Sequence, residues 1–259
     1  MAEAAQTTPS EETGELSGSA SRLAILLAMA MFVLVVDTSL MNVSISAVVR
    51  DLGTTVSAVQ SAIALEALVS AAFILIGSKV ADLIGRKLAY VIGLLAYAVG
   101  AISMTLAQTI VPVFIFWAII GGIGASLLLP SMQSLIHGNF EGKAQARVYA
   151  LVGASAAIAA AVGPLIGGFI TTFLSWRLAF LGEAVIIAVV LSGLGLVKDV
   201  AYTGSRTIDL VGGVLSVIGI GLIILLAAWV VSLVFGIMAA VAVSKYEWYR
   251  YPISIRMVS

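Results

Sequence analysis

The chain has 259 residues, 13 Lys plus Arg balanced by 13 Asp plus Glu, and no cysteine. Apolar residues make up 61 % and charged ones only 10 %, where a soluble domain carries about 25 % charged, and the mean hydropathy is +1.17. These values exclude a soluble globular enzyme, a disulfide framework, a thiolate metal site and a basic nucleic-acid surface.

Residues 1–21 are polar and acidic, with Glu3, Glu11, Glu12 and Glu15 among Ser, Thr and Gly. Too little apolar surface is present to fold, so the segment reads as a disordered tail. It lacks the basic start and cleavage site of a signal peptide, so the first apolar run is expected to stay as an anchor.

About 20 apolar residues cross the hydrocarbon as a helix. The runs that qualify are Leu23–Val49, Ser57–Gly77, Leu88–Ala107, Ile110–Ile136, Gln145–Phe173, Leu178–Val197 and Leu210 onward. The breaks between them are short and carry turn or charge signals. They are Arg50 to Gly53, Gly77 to Lys87, Gln108, His137 to Lys143, Ser175 to Arg177, and Lys198 to Asp209. Short connections favour antiparallel neighbours, and the expected fold is an all-α polytopic membrane bundle. Six spans fill residues 22–197, a linker runs over 198–209, and one or two further spans lie in 210–244. The single His137 reads as a polar residue in one of the loops.

Lys and Arg counts set the orientation. With the N-terminus inside, the inner segments hold Arg22, Lys79, Arg86, Lys87, Lys143, Arg147, Lys198 and Arg206; the outer ones hold Arg50 and Arg177. Eight against two places the N-terminus in the cytoplasm, in a plasma or inner membrane. Leu210 to Ser244 is 35 residues without a charge, about 52 Å as helix. That is long for one span and short for two. Residues 245–259 mix Lys245, Arg250 and Arg256 with Tyr246, Trp248, Tyr249 and Tyr251, an interfacial composition.

Five stretches carry a pattern. Val36 to Val43 reads VDTSLMNV, and Gly77 to Lys87 reads GSKVADLIGRK. Phe114 to Pro130 reads FIFWAIIGGIGASLLLP, Gly163 to Gly168 reads GPLIGG, and Ser175 to Phe180 reads SWRLAF. Together, in this order, they resemble the N-terminal half of the fourteen-span drug:proton antiporter branch of the major facilitator superfamily. Asp37 and Asn42 match the span-1 pattern, with Ser46 where relatives have proline. Asp82, Gly85, Arg86 and Lys87 match the signature loop between spans 2 and 3. There the resemblance implies that Asp82 pairs across the transporter halves and that the basic pair helps form a cytoplasmic gate; the same charges also satisfy the positive-inside rule. Gly163, Pro164, Gly167 and Gly168 match the antiporter motif, whose small residues permit close packing. In span 4 the family's arginine, implicated in proton transfer, falls at Trp117 or Ala118. Neither carries charge, so a proton relay is expected elsewhere.

Asp37, Glu66 and Glu183 are the acids inside the spans. A carboxylate at the bilayer centre costs about 2.5–3.5 kcal/mol by insertion, so such residues face the protein interior or a water-filled cavity. Asp37 and Glu66 lie near the midpoints of antiparallel spans, at similar depth. With Thr38 and Asn42 on a neighbouring face, they form a candidate site for a proton and a lipophilic cation. Glu183, a further candidate for this proton- and substrate-binding site, begins span 6 and is expected to reach toward the outer interface. The resemblance implies proton-coupled efflux driven by the proton gradient, with no cofactor or metal. The lipid bilayer, a lipophilic substrate, and a second copy or a complementary C-terminal half are the expected partners. The alternative is a non-transporting membrane module for interaction or sensing. An enzyme is disfavoured, because no nucleophile–base pair, metal cluster or phosphate loop is recognisable.

Overall fold

The computed structural model describes residue 16, residues 18–200 and residues 210–244. The expectations for residues 1–15, for 201–209 and for the tail 245–259 lie outside the described residues. All regular structure among them is helical. We label the helices α1 (Gly18–Leu52), α2 (Val56–Ile84), α3 (Arg86–Leu106), α4 (Ile110–Asn139), α5 (Gly142–Phe173), α6 (Trp176–Ser192) and α7 (Leu210–Ser244). Each is long and apolar enough to cross a membrane, α6 together with its 3-10 extension to Leu196. The protein is a multi-pass membrane protein.

Two compact units are present, one ending at Leu210 and one beginning at Val211. In the first, α1 packs on α5, α6 and α2, while α4 packs on α2 and α3, and α3 on α6. Leu27, Val33, Tyr90, Leu94, Leu128 and Met132 lie in one buried cluster; Met41, Val59, Met104, Trp117, Trp176 and Phe180 lie in another. The outer surface is as greasy as the interior, with Leu106 69 % and Leu165 73 % exposed, which suits contact with lipid rather than water. Between two apolar media the hydrophobic effect gives helices little reason to associate. Close packing and interhelical hydrogen bonds must hold them. The second unit holds α7, a single continuous helix whose side chains from Val211 to Val241 are largely exposed. Residues 210–244 form one continuous helix.

Several local expectations change. The signature segment is not a loop: α2 continues through Gly77–Ile84, and only Gly85 is non-helical before α3 begins. Val80, Leu83 and Ile84 recur at helical spacing there, so extending the helix keeps one apolar face. Gly85 makes the corner at φ 100° and ψ 137°, a backbone conformation that L side chains rarely adopt. His137 sits in the last turn of α4 rather than in a loop, with its Nδ1 2.7 Å from Gln145 Nε2. Residues 18–21, expected in the tail, form the start of α1.

Polar contacts tie both ends of the bundle. At one end, Trp176 Nε1 donates to Asp51 Oδ2 at 2.9 Å, Arg177 pairs with the same carboxylate, and Arg177 Nη2 donates to the Ala107 carbonyl. The guanidinium also lies 4.7 Å over the Trp176 ring. At the other end, Asp199 Oδ1 accepts from the Lys87 backbone N–H at 3.0 Å, capping α3 from across the chain. Lys87 Nζ donates to the Val197 carbonyl at 2.8 Å, and Asn139 exchanges two 3.0 Å hydrogen bonds with the Lys198 backbone.

Candidate functional site

Asp37 lies on α1 between apolar turns and is 1 % exposed. A carboxyl in such a place needs donors, because an unpartnered one loses its hydration with nothing in return. Two helices supply them. Tyr97 of α3 donates its hydroxyl to Asp37 Oδ2 at 2.6 Å. Trp117 of α4 donates Nε1 to Oδ1 at 3.0 Å and lies 3.2 Å from Oδ2. Indole nitrogen can only donate, so this side of Asp37 is an acceptor.

Trp117 emerges from an unusual backbone. Residues Val113–Gly121 wind as π-helix within α4. Such segments are rare and occur frequently at functional sites, since the inserted residue redirects the side chains around it.

Two more acids face the same point. Glu183 of α6 is 2 % exposed and lies beside the Asp37 carboxyl. Neither of its oxygens has a partner that meets hydrogen-bond geometry. Its expected reach toward the outer interface is therefore overturned: the side chain turns into the bundle. Glu66 of α2 is 9 % exposed and within electrostatic reach of Asp37 and Tyr97. Five helices thus converge on one buried polar centre: α1, α2, α3, α4 and α6.

Thr38 and Asn42 stand elsewhere. Both are exposed, and Asn42 Nδ2 donates to the Thr38 carbonyl at 2.7 Å. With the exposed Ser46 they make a polar strip on the exposed face of α1. Ser44, on the buried side, satisfies itself by donating to the Leu40 carbonyl at 2.6 Å.

The glycines of GPLIGG set how near α5 comes to α1. A Cβ at Gly163 would lie 2.7 Å from Ser39 Cβ, and one at Gly167 would lie 2.6 Å from Val43 Cγ2. Contacts that short do not occur between real side chains, so glycine is required at both positions for this approach. Pro164 and Gly168 play no such part: Pro164 is exposed, and nothing lies within 4 Å of a Cβ at Gly168. An open groove of about 240 Å³ runs between α1 and α5, lined mainly by Ile25, Met29, Phe32, Leu151, Ser155 and Ile158.

In the signature segment, Asp82 forms an ion pair with Arg86 four residues on. Lys87 is bound to Val197 and Asp199, as described. These residues cluster together at the end of the bundle away from Asp51 and Arg177.

Tyr97 and Trp117 were missed by reasoning from the sequence. A tyrosine in an apolar run looks like core. Trp117 stands where the resemblance expects a charge, and its uncharged indole N–H is the group that reaches Asp37.

Residues 27–246 match the model of the Major Facilitator Superfamily. The chain is 28 % identical over 196 residues to the multidrug transporter protein MdtP of Bacillus subtilis (strain 168), covering 75 % of this chain and 36 % of that protein. It is also 28 % identical over 199 residues to the methylenomycin A resistance protein of the same organism, covering 76 % and 42 %. A crystal structure of the peptide transporter POT superposes with a TM-score of 0.62 at 15 % identity, covering 89 % of this chain and 47 % of that one. The chain therefore spans less than half the length of these relatives.

Proposed function

Because the chain belongs to the Major Facilitator Superfamily, we propose that it provides the N-terminal half of a proton-coupled exporter of lipophilic, cationic compounds. The observation that carries this reading is the convergence of Asp37, Glu66 and Glu183 at one buried centre. Acids so placed are costly in a membrane and are functional by default. They offer a negative site for which a proton and a cation compete, and that competition is the coupling. Asp37 and Glu66 handle proton and cation; the apolar groove between α1 and α5 suits a lipophilic body. The names of the two relatives, a multidrug transporter and a methylenomycin A resistance protein, support a drug-like substrate.

In this reading the N-terminus and the Lys87 end face the cytoplasm, where Asp82, Arg86 and Lys87 form the gate, and the Asp51–Arg177 end faces outward. Alternating access needs two bundles rocking about one site. The first unit supplies one wall, and a second copy or a complementary half supplies the other. The exposed strip of Thr38 and Asn42 faces that space.

Ethidium efflux from cells making the chain tests the proposal, beside Asp37→Asn and Glu66→Gln chains and with a proton uncoupler. Uncoupler-sensitive efflux that is lost in either variant supports it. No efflux above empty cells, with the protein present in the membrane and a complementary half co-produced, refutes it and favours a non-transporting interaction module.

A further inference from the structure

The buried centre contains two carboxyls with opposite surroundings, and the contrast assigns a proton. Asp37 receives the Tyr97 hydroxyl and the Trp117 indole N–H, and both of its oxygens are reached. Glu183 is as deeply buried, with no donor on either oxygen, and its carboxyl is within side-chain interaction range of Asp37. An ionised carboxylate is an acceptor only, whereas a protonated one carries a donor hydrogen. Asp37 is furnished to be ionised. Glu183 is furnished with nothing that would hold a charge, and the acceptor it faces is Asp37.

We propose that Asp37 and Glu183 form a carboxyl pair that stores one proton, resident on Glu183, and that Glu183 is therefore a proton-binding residue of the site. Two like charges at this separation from water cannot both persist, and sharing one proton removes the repulsion. Among the described residues, the other groups facing the pair are Tyr97 from α3, Trp117 from α4 and Glu66 from α2. Tyr97 and Trp117 donate to Asp37. Glu66 retains some exposure, which leaves it as the acid that meets the cation. Moving the proton is then a single hop: the Glu183 O–H breaks, the Asp37 O–H forms, and the pair keeps its charge of minus one. This inference rests on the proposed transport only for the use made of the proton, since the storage site exists whether or not the chain exports anything.

Infrared spectroscopy reads the proton without any transport. The purified chain in lipid vesicles at neutral pH should show a protonated-carboxyl stretching band that shifts in heavy water. Glutamate carboxyls labelled with carbon-13 in the Glu66→Gln chain should move that band, since the proton would be on a glutamate and Glu66 no longer contributes. Glu183→Gln, isosteric with the protonated acid, should abolish the band in the same background, and Asp37→Asn should retain it. The proposal is overturned if the band is absent, if the label leaves it unmoved, or if Asp37→Asn removes it while Glu183→Gln does not. The labelled Glu66→Gln chain keeps the acid pair itself unaltered, so the test does not depend on whether a Glu183 variant folds.

Discussion

Whether Asp37 is ionised decides how much its donors are worth, and the Tyr97 hydroxyl gives a clean handle. Tyr97→Phe removes one oxygen, leaves the ring in place and deletes the 2.6 Å hydrogen bond to Oδ2. Between neutral groups, interhelical hydrogen bonds in membranes average about 0.6 kcal/mol. A hydrogen bond to a charged group is worth about 1.5–3 kcal/mol. Loss of Tyr97 from an ionised Asp37 should therefore cost about 2 kcal/mol. In an Asp37→Asn chain, where an amide oxygen still accepts but the charge is gone, the same substitution should cost about 0.6 kcal/mol. The coupling between the two positions is the difference, about 1–2 kcal/mol, or roughly tenfold in the unfolding equilibrium constant. Four purified chains, denatured by increasing detergent denaturant in mild micelles and followed by helicity and tryptophan fluorescence, measure it. Equal costs of Tyr97→Phe in the two backgrounds would refute an ionised Asp37 and with it the division of roles between the two buried acids.

Three further outcomes follow from the geometry. Gly163→Ala drives a Cβ into Ser39 and should destabilise the chain by about 1–3 kcal/mol, whereas Gly168→Ala, with open space around it, should stay within about 0.5 kcal/mol; the same denaturation assay compares them. Gly85→Ala forces alanine to φ 100° and places its Cβ 2.9 Å from Asp199 Oδ2, so a loss of about 1–3 kcal/mol is expected, with faster amide exchange at Lys87; exchange unchanged from the parent would contradict the capping role of Asp199. Asp51→Asn weakens a pair whose side chains are 22 % and 41 % exposed, so only about 0.2–1 kcal/mol should be lost, and added salt should shrink the difference between variant and parent melting curves.

The spans were legible because hydrocarbon demands long apolar runs, and the acids Asp37 and Glu66 stood out because such runs exclude charge. What the sequence withheld was rotation about each helix axis. Counting residues from the end of span 6 gives the depth of Glu183 but not the direction it points, and it turned out to face Asp37 rather than the interface. Helical spacing already puts Thr38 and Asn42 on a face neighbouring that of Asp37; what it does not give is that their face is the exposed one. Tyr97 and Trp117 are spelled like core residues, and nothing but their neighbours distinguishes a hydroxyl or an N–H that is used from one that is not. For Trp117 the π-helical winding around it adds a further displacement that no 3.6-residue periodicity anticipates. The signature segment was misread for the opposite reason. Its charges suggested a loop, yet a helix can extend past the hydrocarbon and carry them, with the corner confined to Gly85.

The buried centre is completed inside the first unit. Its three acids come from α1, α2 and α6 and its two donors from α3 and α4. The remaining helix of that unit, α5, contributes contact instead of chemistry, through Gly163 and Gly167 against the stretch of α1 that bears Asp37. Every group to which the proposal assigns a part in holding the pair's proton therefore lies on a helix of one bundle. A partner bundle would add a lid over the face of Thr38 and Asn42 and the still partly exposed Glu66, without having to build the acid pair. If the chain acts as proposed, this would divide the work of a rocking transporter in a specific way: the proton store would move as a rigid part of one bundle, and only the cation-facing edge would change its surroundings as the two bundles tilt. Substitutions that loosen the α1–α5 contact should consequently disturb proton storage as well as stability, while substitutions on the Thr38–Asn42 strip should alter substrate handling and leave the stored proton where it is.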